Sequence, residues 1–115
     1  MDDPSEVSFG VAIRDARRAK GLTQRFVAAK VGIDFTYLSK LENGRGDTPA
    51  EETIRRLARE LDLDEEDLLA RGGKVPAAVR ELAASDREFA SFLRRLPDLP
   101  PEERRSLYRR VNRES

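Results

Sequence analysis

Three polar residues, Thr36, Lys40 and Asn43, occupy positions i, i+4 and i+7 of a stretch whose apolar residues have helical spacing. On an α-helix this spacing places them on one face, opposite Leu38 and Leu41. A lysine ammonium can donate to O6 and N7 of guanine, and a threonine hydroxyl can contact several bases. The polar face of such a helix therefore matches the hydrogen-bonding groups that line the major groove of DNA.

The residue types that most enzyme chemistry needs are missing. The 115 residues contain no His and no Cys, which removes the usual general base, the thiol nucleophile and most zinc or haem ligands. The sequence has no glycine-rich phosphate loop and no cluster with metal-ligand spacing. The acids of residues 62–67 fit a helix N-terminus, where negative charge is favoured. We therefore predict no enzyme activity, no catalytic residue, no metal site and no cofactor.

Charge is balanced overall but unevenly distributed. The chain has 22 basic and 22 acidic side chains. Residues 9–45 hold eight bases and three acids, whereas residues 46–70 hold three bases and nine acids. This pattern predicts a polarised surface with one face that attracts polyanions.

The sequence also bears on location. No apolar run approaches the ~18 residues of a membrane span. The acidic N-terminus has no apolar core of a signal peptide. We expect a cytoplasmic protein without a membrane partner.

Apolar residues at helical spacing predict a chain of short helices, and strand signals are nearly absent. Gly32 and the pair Asn43-Gly44 are typical helix ends. Thr48-Pro49-Ala50-Glu51 resembles a capping box with proline in the first turn. The residues predicted to cap the second to fifth helices are Thr23, Asp34, Thr48 and Asp64.

The C-terminal part follows a candidate boundary at Arg71-Gly72-Gly73. Residues 76–111 predict three short helices, one of them capped by Ser85 and carrying Phe89 and Phe92 on an apolar stripe. So few residues cannot form a core alone. We expect the stripe to pack against a second copy of the chain, its own first domain or another protein.

The joint between the second and third helices has a specific pattern. Ala28 is small enough for a close helix crossing, Gly32 permits a turn with positive φ, and Ile33 is an apolar residue that follows at once. Two short helices joined by three or four residues that include Gly form a helix-turn-helix, which presents its second helix to a major groove.

The sequence Thr23-Gln24-x-x-Val27-Ala28-x-x-Val31-Gly32-Ile33, followed by Tyr37-Leu38-Ser39-Lys40-Leu41-Glu42-Asn43-Gly44-Arg45, resembles the phage-repressor and Cro type of helix-turn-helix domain, the XRE family of bacterial and phage regulators. The resemblance runs from about Phe9 to Ala70. It implies an all-α protein, a five-helix repressor-like domain with a short helical C-terminal extension. We accordingly expect an acidic tail at 1–8, the DNA-binding domain at 9–70, a linker at 71–75 and a helical segment for dimerisation or partner binding at 76–115.

The resemblance also implies residue roles. Gln24 would contact a backbone phosphate or an outer base, and Phe35, Thr36 and Lys40 occupy positions that reach base edges. The positions that contact phosphates are Tyr37, Asn43 and Arg45. Arg17 and Glu42 match a pair that often bonds in this family and would hold the groove-reading helix.

Two aromatic residues depart from the family pattern. Phe35 is large and apolar where the family is often polar, so it either meets a thymine methyl group or packs against Tyr37 or the second helix. Phe26 replaces a residue that is usually charged, and it either anchors the C-terminal segment or is an isolated exposed side chain. The C-terminal arginines, residues 104, 105, 109, 110 and 113, form either a solvated helix face or a second phosphate grip.

The family resemblance implies a regulator that binds double-stranded DNA with sequence specificity. We expect a repressor that binds a pseudo-palindromic operator as a homodimer, in the cytoplasm of a bacterium or in a phage system. One alternative is an antitoxin that represses its own operon and binds a toxin through its C-terminal segment. Another is a protein-interaction module that has lost DNA binding.

Overall fold

The protein is entirely helical over the part that is described. A computed structural model describes residues 7–113, so residues 1–6 of the predicted acidic tail and residues 114–115 lie outside it. These residues form eight α-helices and one 3₁₀ turn, with no strand among them, and the predicted all-α class is confirmed. The chain divides into two compact units, the first ending at Val75 and the second beginning at Pro76.

The first unit contains the five helices α1 (Phe9–Ala19), α2 (Gln24–Val31), α3 (Phe35–Glu42), α4 (Glu51–Glu60) and α5 (Glu65–Arg71). Each contributes apolar residues to one buried core. The largest fully buried side chains are Ile13, Val27, Leu38, Ile54, Leu57 and Leu68. Because every helix supplies at least one of them, burial of this apolar surface holds the five helices together.

Three of the predicted capping residues start their helices. Thr23 Oγ1 accepts a hydrogen bond from the backbone N–H of Phe26 at 3.0 Å. The carboxylate of Asp34 accepts a hydrogen bond from the backbone N–H of Thr36 at 2.9 Å. The carboxylate of Asp64 accepts one from the backbone N–H of Asp67 at 2.8 Å. These bonds satisfy N–H groups that have no partner within the helix.

Two predicted caps are wrong. α4 begins at Glu51 after Ala50, with no side-chain cap, because Pro49 is buried and the methyl group of Thr48 packs towards Gly72. Thr48 and Pro49 are therefore engaged in tertiary packing and do not form the predicted capping box.

At the second wrong position, Ser85 belongs to the last turn of α6, and its hydroxyl donates to the carbonyl of Glu81 at 3.1 Å. Asp86 caps the following helix instead, accepting from the N–H of Phe89 at 3.1 Å. The chain becomes extended only at Asp86, and this places the cap one residue later than predicted.

The second unit contains α6 (Ala77–Ser85), α7 (Arg87–Arg95), a 3₁₀ turn (Leu96–Asp98) and α8 (Pro101–Asn112). The rings of Phe89 and Phe92 stack with their centroids 6.3 Å apart. None of its described residues is buried. Residues 76–113 thus form no closed apolar core of the kind that the first unit has.

None of the helices in residues 7–113 is both long enough and apolar enough to cross a lipid bilayer.

Helix α1 crosses the end of α3 at very short range. Gly10 is buried in the first turn of α1, and a Cβ atom placed on it would lie 2.1 Å from the carbonyl oxygen of Leu41 and 3.1 Å from that of Glu42. Both neighbours are backbone atoms, which cannot rotate away as a side chain can. Glycine is therefore the only residue that permits this crossing.

We predict that Gly10→Ala destabilises the protein by about 1–3 kcal/mol, because the new methyl group must push α1 and α3 apart. Alanine usually stabilises a helix interior relative to glycine, so the sign of the change is diagnostic. Urea denaturation followed by circular dichroism measures the free energy of unfolding. Asp15→Ala, at an exposed position of the same helix, is the control and should change stability by less than about 0.5 kcal/mol. A Gly10→Ala protein as stable as the parent would contradict the close crossing.

Candidate nucleic-acid interface

A three-residue turn joins α2 to α3. Gly32 ends α2 with φ +83°, in the left-handed region that favours glycine, and its N–H donates to the carbonyl of Ala28 at 2.9 Å. The N–H of Ile33 donates to the same carbonyl at 3.0 Å, and Asp34 then caps α3. The turn and its two short helices have the geometry predicted for a helix-turn-helix.

Helix α3 has one buried and one exposed face. Leu38 and Leu41 are buried, whereas Thr36 and Lys40 are exposed on the other side. Asn43 is exposed at the C-terminal cap, where its side-chain amide donates to the carbonyl of Ser39 at 2.9 Å. The polar face predicted from the spacing is therefore present on the surface, although the Asn43 amide is already engaged by its own helix.

A buried ion pair joins the end of α1 to the end of α3. Arg17 Nε donates to Glu42 Oε2 at 2.7 Å and Arg17 Nη2 donates to Glu42 Oε1 at 2.8 Å, while Nη1 donates to the carbonyl of Leu22 at 2.9 Å. Arg17 is 9% exposed and Glu42 is 3% exposed. The hydrogen bond to Glu42 raises the pKa of the Arg17 guanidinium above its ordinary value. The pairing predicted from the resemblance is confirmed.

Gln24, the first residue of α2, joins this pair. Its side-chain Nε2 donates to Glu42 Oε1 at 3.0 Å, so one carboxylate receives bonds from both Arg17 and Gln24. The residue expected to contact a phosphate or an outer base is therefore tied to the carboxylate that holds α3. This bond orients the N-terminus of α2 relative to the exposed face of α3.

Tyr37 connects α3 to the loop that follows it. Its hydroxyl donates to the carbonyl of Asp47 at 2.8 Å, and the pKa of this hydroxyl is raised, chiefly because burial disfavours the phenolate and also because of the negative charge of Asp47. The same loop carries Arg45, which is exposed and whose backbone N–H donates to the carbonyl of Lys40 at 2.8 Å. Together these bonds keep Arg45 next to the C-terminal end of the exposed face.

Phe35, the first residue of α3, is 36% exposed. The guanidinium carbon of Arg25, in α2, lies 4.4 Å from the centre of its ring. Both residues line an open cleft of about 580 Å³, whose walls are Arg17, Arg18, Leu22, Thr23, Gln24, Arg25 and Phe35. Arg25 belongs to the base-rich residues 9–45, but its contact with Phe35 was not predicted, because no helical spacing relates residues on either side of a turn.

Phe26 is also exposed, at 44%, and Lys30 one turn later on α2 lies with its ammonium nitrogen 5.5 Å from the ring centre. Phe26 belongs to α2 and therefore lies outside α3. The exposed rings of Phe26 and Phe35 are thus each paired with a cation of α2.

We predict that Glu42→Ala destabilises the protein by about 3–5 kcal/mol, because it leaves the Arg17 guanidinium buried without its carboxylate. Replacing both partners by apolar residues, as in Arg17→Met with Glu42→Met, should recover most of this loss since no charge then remains buried. Urea denaturation of the parent, of Arg17→Met and Glu42→Met singly and of the double variant gives the coupling energy, and Glu42→Ala is measured beside them. A loss below about 1 kcal/mol in Glu42→Ala would show that the pair has only the small effect typical of surface ion pairs.

Comparison with known proteins bears on the whole helix-turn-helix unit. The helix-turn-helix family model matches residues 13–68. An uncharacterized HTH-type transcriptional regulator, RghRB of Bacillus subtilis (strain 168), is 36% identical over 83 residues, which make up 72% of this chain and 60% of the relative. The HTH-type transcriptional repressor RghR of the same organism is 32% identical over 68 residues, 59% of this chain and 50% of the relative.

A third relative is matched over more of its length. The uncharacterized HTH-type transcriptional regulator y4dJ of Sinorhizobium fredii (strain NBRC 101917 / NGR234) is 39% identical over 64 residues, 56% of this chain and 82% of the relative. The chain spans only about half to three fifths of the two Bacillus subtilis proteins. The family-model match, the geometry of the turn and the similarity to these relatives together show that this chain belongs to the XRE-type helix-turn-helix family of transcriptional regulators.

Proposed function

We propose that this chain regulates transcription by binding double-stranded DNA at specific sequences, with α3 in the major groove. The observation that carries the proposal is the exposed face of Thr36 and Lys40 on a helix whose end is fixed by the buried Arg17–Glu42 pair. An α-helix fits a major groove ~12 Å wide, and side chains near its start can reach base edges. Thr36 and Lys40 are assigned to bases in this arrangement.

Four of the other predicted residues are assigned to the DNA backbone. Arg45 is exposed next to α3, Asn43 caps the C-terminal end of that helix, and the Tyr37 hydroxyl bonds to Asp47 in the loop that follows. Gln24 begins α2, where N–H groups at a helix N-terminus favour an approaching phosphate. Such contacts position the protein on the duplex while base contacts supply specificity.

The surface charge supports the proposal that DNA, a polyanion, binds at one face of the protein. On α4 the arginines are paired with acids: Arg55 donates to Glu65 at 3.1 Å, and Arg56 donates to Glu52 at 3.3 Å. The hydrogen bond from Arg55 lowers the pKa of Glu65 and so favours its ionised form. The basic side chains of α2 and α3 lie in the part of the chain with excess positive charge, and they attract phosphates more strongly than the acid-paired α4.

We further propose that two copies of the chain associate through the second unit. Its exposed apolar side chains include Leu82, Phe92, Tyr108 and Val111, and none of its described residues is buried. A second copy of the chain would remove this apolar surface from water. A two-fold dimer would present two copies of α3 to half-sites about one DNA turn apart, ~34 Å.

We predict that Lys40→Ala weakens binding to the preferred duplex by about 1–3 kcal/mol and relaxes the preference at one base position of each half-site. Selection of bound duplexes from a random pool defines the preferred sequence, and fluorescence anisotropy then measures affinity for it and for single-base variants.

Arg45→Ala is the matched comparison, because it removes a cation assigned to phosphate from the same neighbourhood. It should weaken binding to all sequences equally. It should also make the dependence of log affinity on log salt less steep, by about one unit for each phosphate that the variant no longer neutralises. Equal weakening on all sequences by Lys40→Ala would reassign Lys40 to a phosphate.

For the dimer, we predict that Phe92→Asp converts the protein to a monomer, since a carboxylate replaces a ring that is 41% exposed and stacked on Phe89. The monomer should bind its operator more weakly because the two half-sites lose their shared tether. Light scattering at tens of micromolar protein gives the molecular mass. Ser106→Asp, at an exposed polar position of α8, is the charge control and should remain dimeric. A parent chain that is itself monomeric would refute the dimer and favour a different protein partner, such as the toxin of an antitoxin pair.

A further inference from the structure

We propose that Phe35 recognises the C5-methyl group of one thymine in each bound half-site, and that Arg25 is the positioning residue that holds the Phe35 ring for this contact. The inference rests on the proposed function, because it assigns a specificity to one residue of α3. Phe35 is also the residue whose role the sequence leaves open between a base contact and packing on the protein.

The place of Phe35 in the helix is the first support. It is the first residue of α3, three positions before the buried Leu38, so it lies at the edge between the buried and the exposed face of the helix. Its ring is not part of the buried core and stays 36% exposed. The N-terminal residues of a recognition helix are those that contact base edges, so this position brings the ring to the floor of the groove.

The chemistry of the side chain narrows what it can recognise. Phenylalanine has no hydrogen-bond donor or acceptor in its side chain, so it cannot pair with the polar edge groups of guanine, cytosine or adenine. The C5-methyl group of thymine is the apolar group that the major groove presents. Burying that methyl group against the ring removes both from water, whereas any other base at this position would leave polar groups facing an apolar ring.

Arg25 supplies the second, independent observation. Its guanidinium carbon lies 4.4 Å from the centre of the Phe35 ring, a distance at which a planar cation is attracted to an aromatic face. Arg25 thus lies over the ring, and the 36% of Phe35 that stays exposed is the part that would meet the base. A lysine would keep the charge but cannot stack as a planar group, so this contact depends on arginine itself.

The test replaces thymine by uracil, which differs only by the missing methyl group, at one position at a time in the preferred duplex. For the full chain we expect one thymine of each half-site at which uracil weakens binding by about fourfold, the value for one buried methyl-sized group. Phe35→Ala should bind the thymine and uracil duplexes equally. Phe35→Leu keeps an apolar side chain and should retain part of the discrimination.

Phe26→Ala is the matched control. Phe26 is an exposed phenylalanine of α2 with a cation over its ring, as Phe35 is, but it lies outside α3. It should keep the full thymine-to-uracil ratio. Circular dichroism confirms that each variant is folded before its affinity is measured.

Arg25→Lys tests the positioning role separately. It should leave the salt dependence of binding unchanged, because the charge is kept, but reduce the thymine-to-uracil ratio towards one. A variant that retains the full ratio would show that Arg25 does not position the ring.

The outcomes separate this inference from the proposed function. Sequence-specific binding in which uracil has no effect at any position overturns the thymine contact and leaves DNA binding intact. An unchanged ratio in Phe35→Ala assigns the methyl contact to another residue and also overturns the inference. Selection that yields no preferred duplex refutes the proposed function, and this inference with it.

Discussion

The orientation of α3 depends on the buried ion pair between Arg17 and Glu42. Removing two charges from water is costly, so such a pair persists only where its geometry and remaining hydrogen bonds are satisfied. Here the pairing is bidentate, and the third arginine nitrogen reaches the carbonyl of Leu22. Gln24 donates to the same carboxylate. One glutamate, Glu42, thus joins the end of α1, the start of α2 and the end of α3. These bonds fix the orientation of the exposed polar face of α3.

The close crossing of α1 and α3 belongs to the same arrangement. Gly10 lets the helices approach near the carbonyl groups of Leu41 and Glu42, and the ion pair beside this crossing is buried. The core shared with α4 and α5 takes up the apolar side chains of α2 and α3. The outward faces of these two helices carry basic side chains, while the arginines of α4 are paired with acids of α4 and α5. One unit therefore combines a shared core with a polarised surface.

The second unit shows a different balance of forces. Its helices follow from local signals: Asp86 caps α7, Pro97 is the second residue of the 3₁₀ turn, and Pro101 begins α8. Yet none of its described residues is buried, and Phe92, Tyr108 and Val111 are exposed. Local preference accounts for its secondary structure, but a surplus of apolar surface remains, which is the physical basis for proposing that a second chain covers it.

The sequence by itself determined the helical class, the turn at Gly32, the caps at Thr23, Asp34 and Asp64 and the exposed positions of Thr36 and Lys40, because each depends on residues within two helical turns of one another. The family resemblance also pointed to the Arg17–Glu42 pair. Local signals failed where packing competed with them: Thr48 packs towards Gly72 and leaves α4 without a side-chain cap, and Ser85 stays within α6. The bond of Gln24 to Glu42 and the stacking of Arg25 on Phe35 were decided only by the tertiary structure. Both contacts join a residue of α2 to a residue of α3, so the relative placement of the two helices, and not the spacing along either one, brings the atoms together.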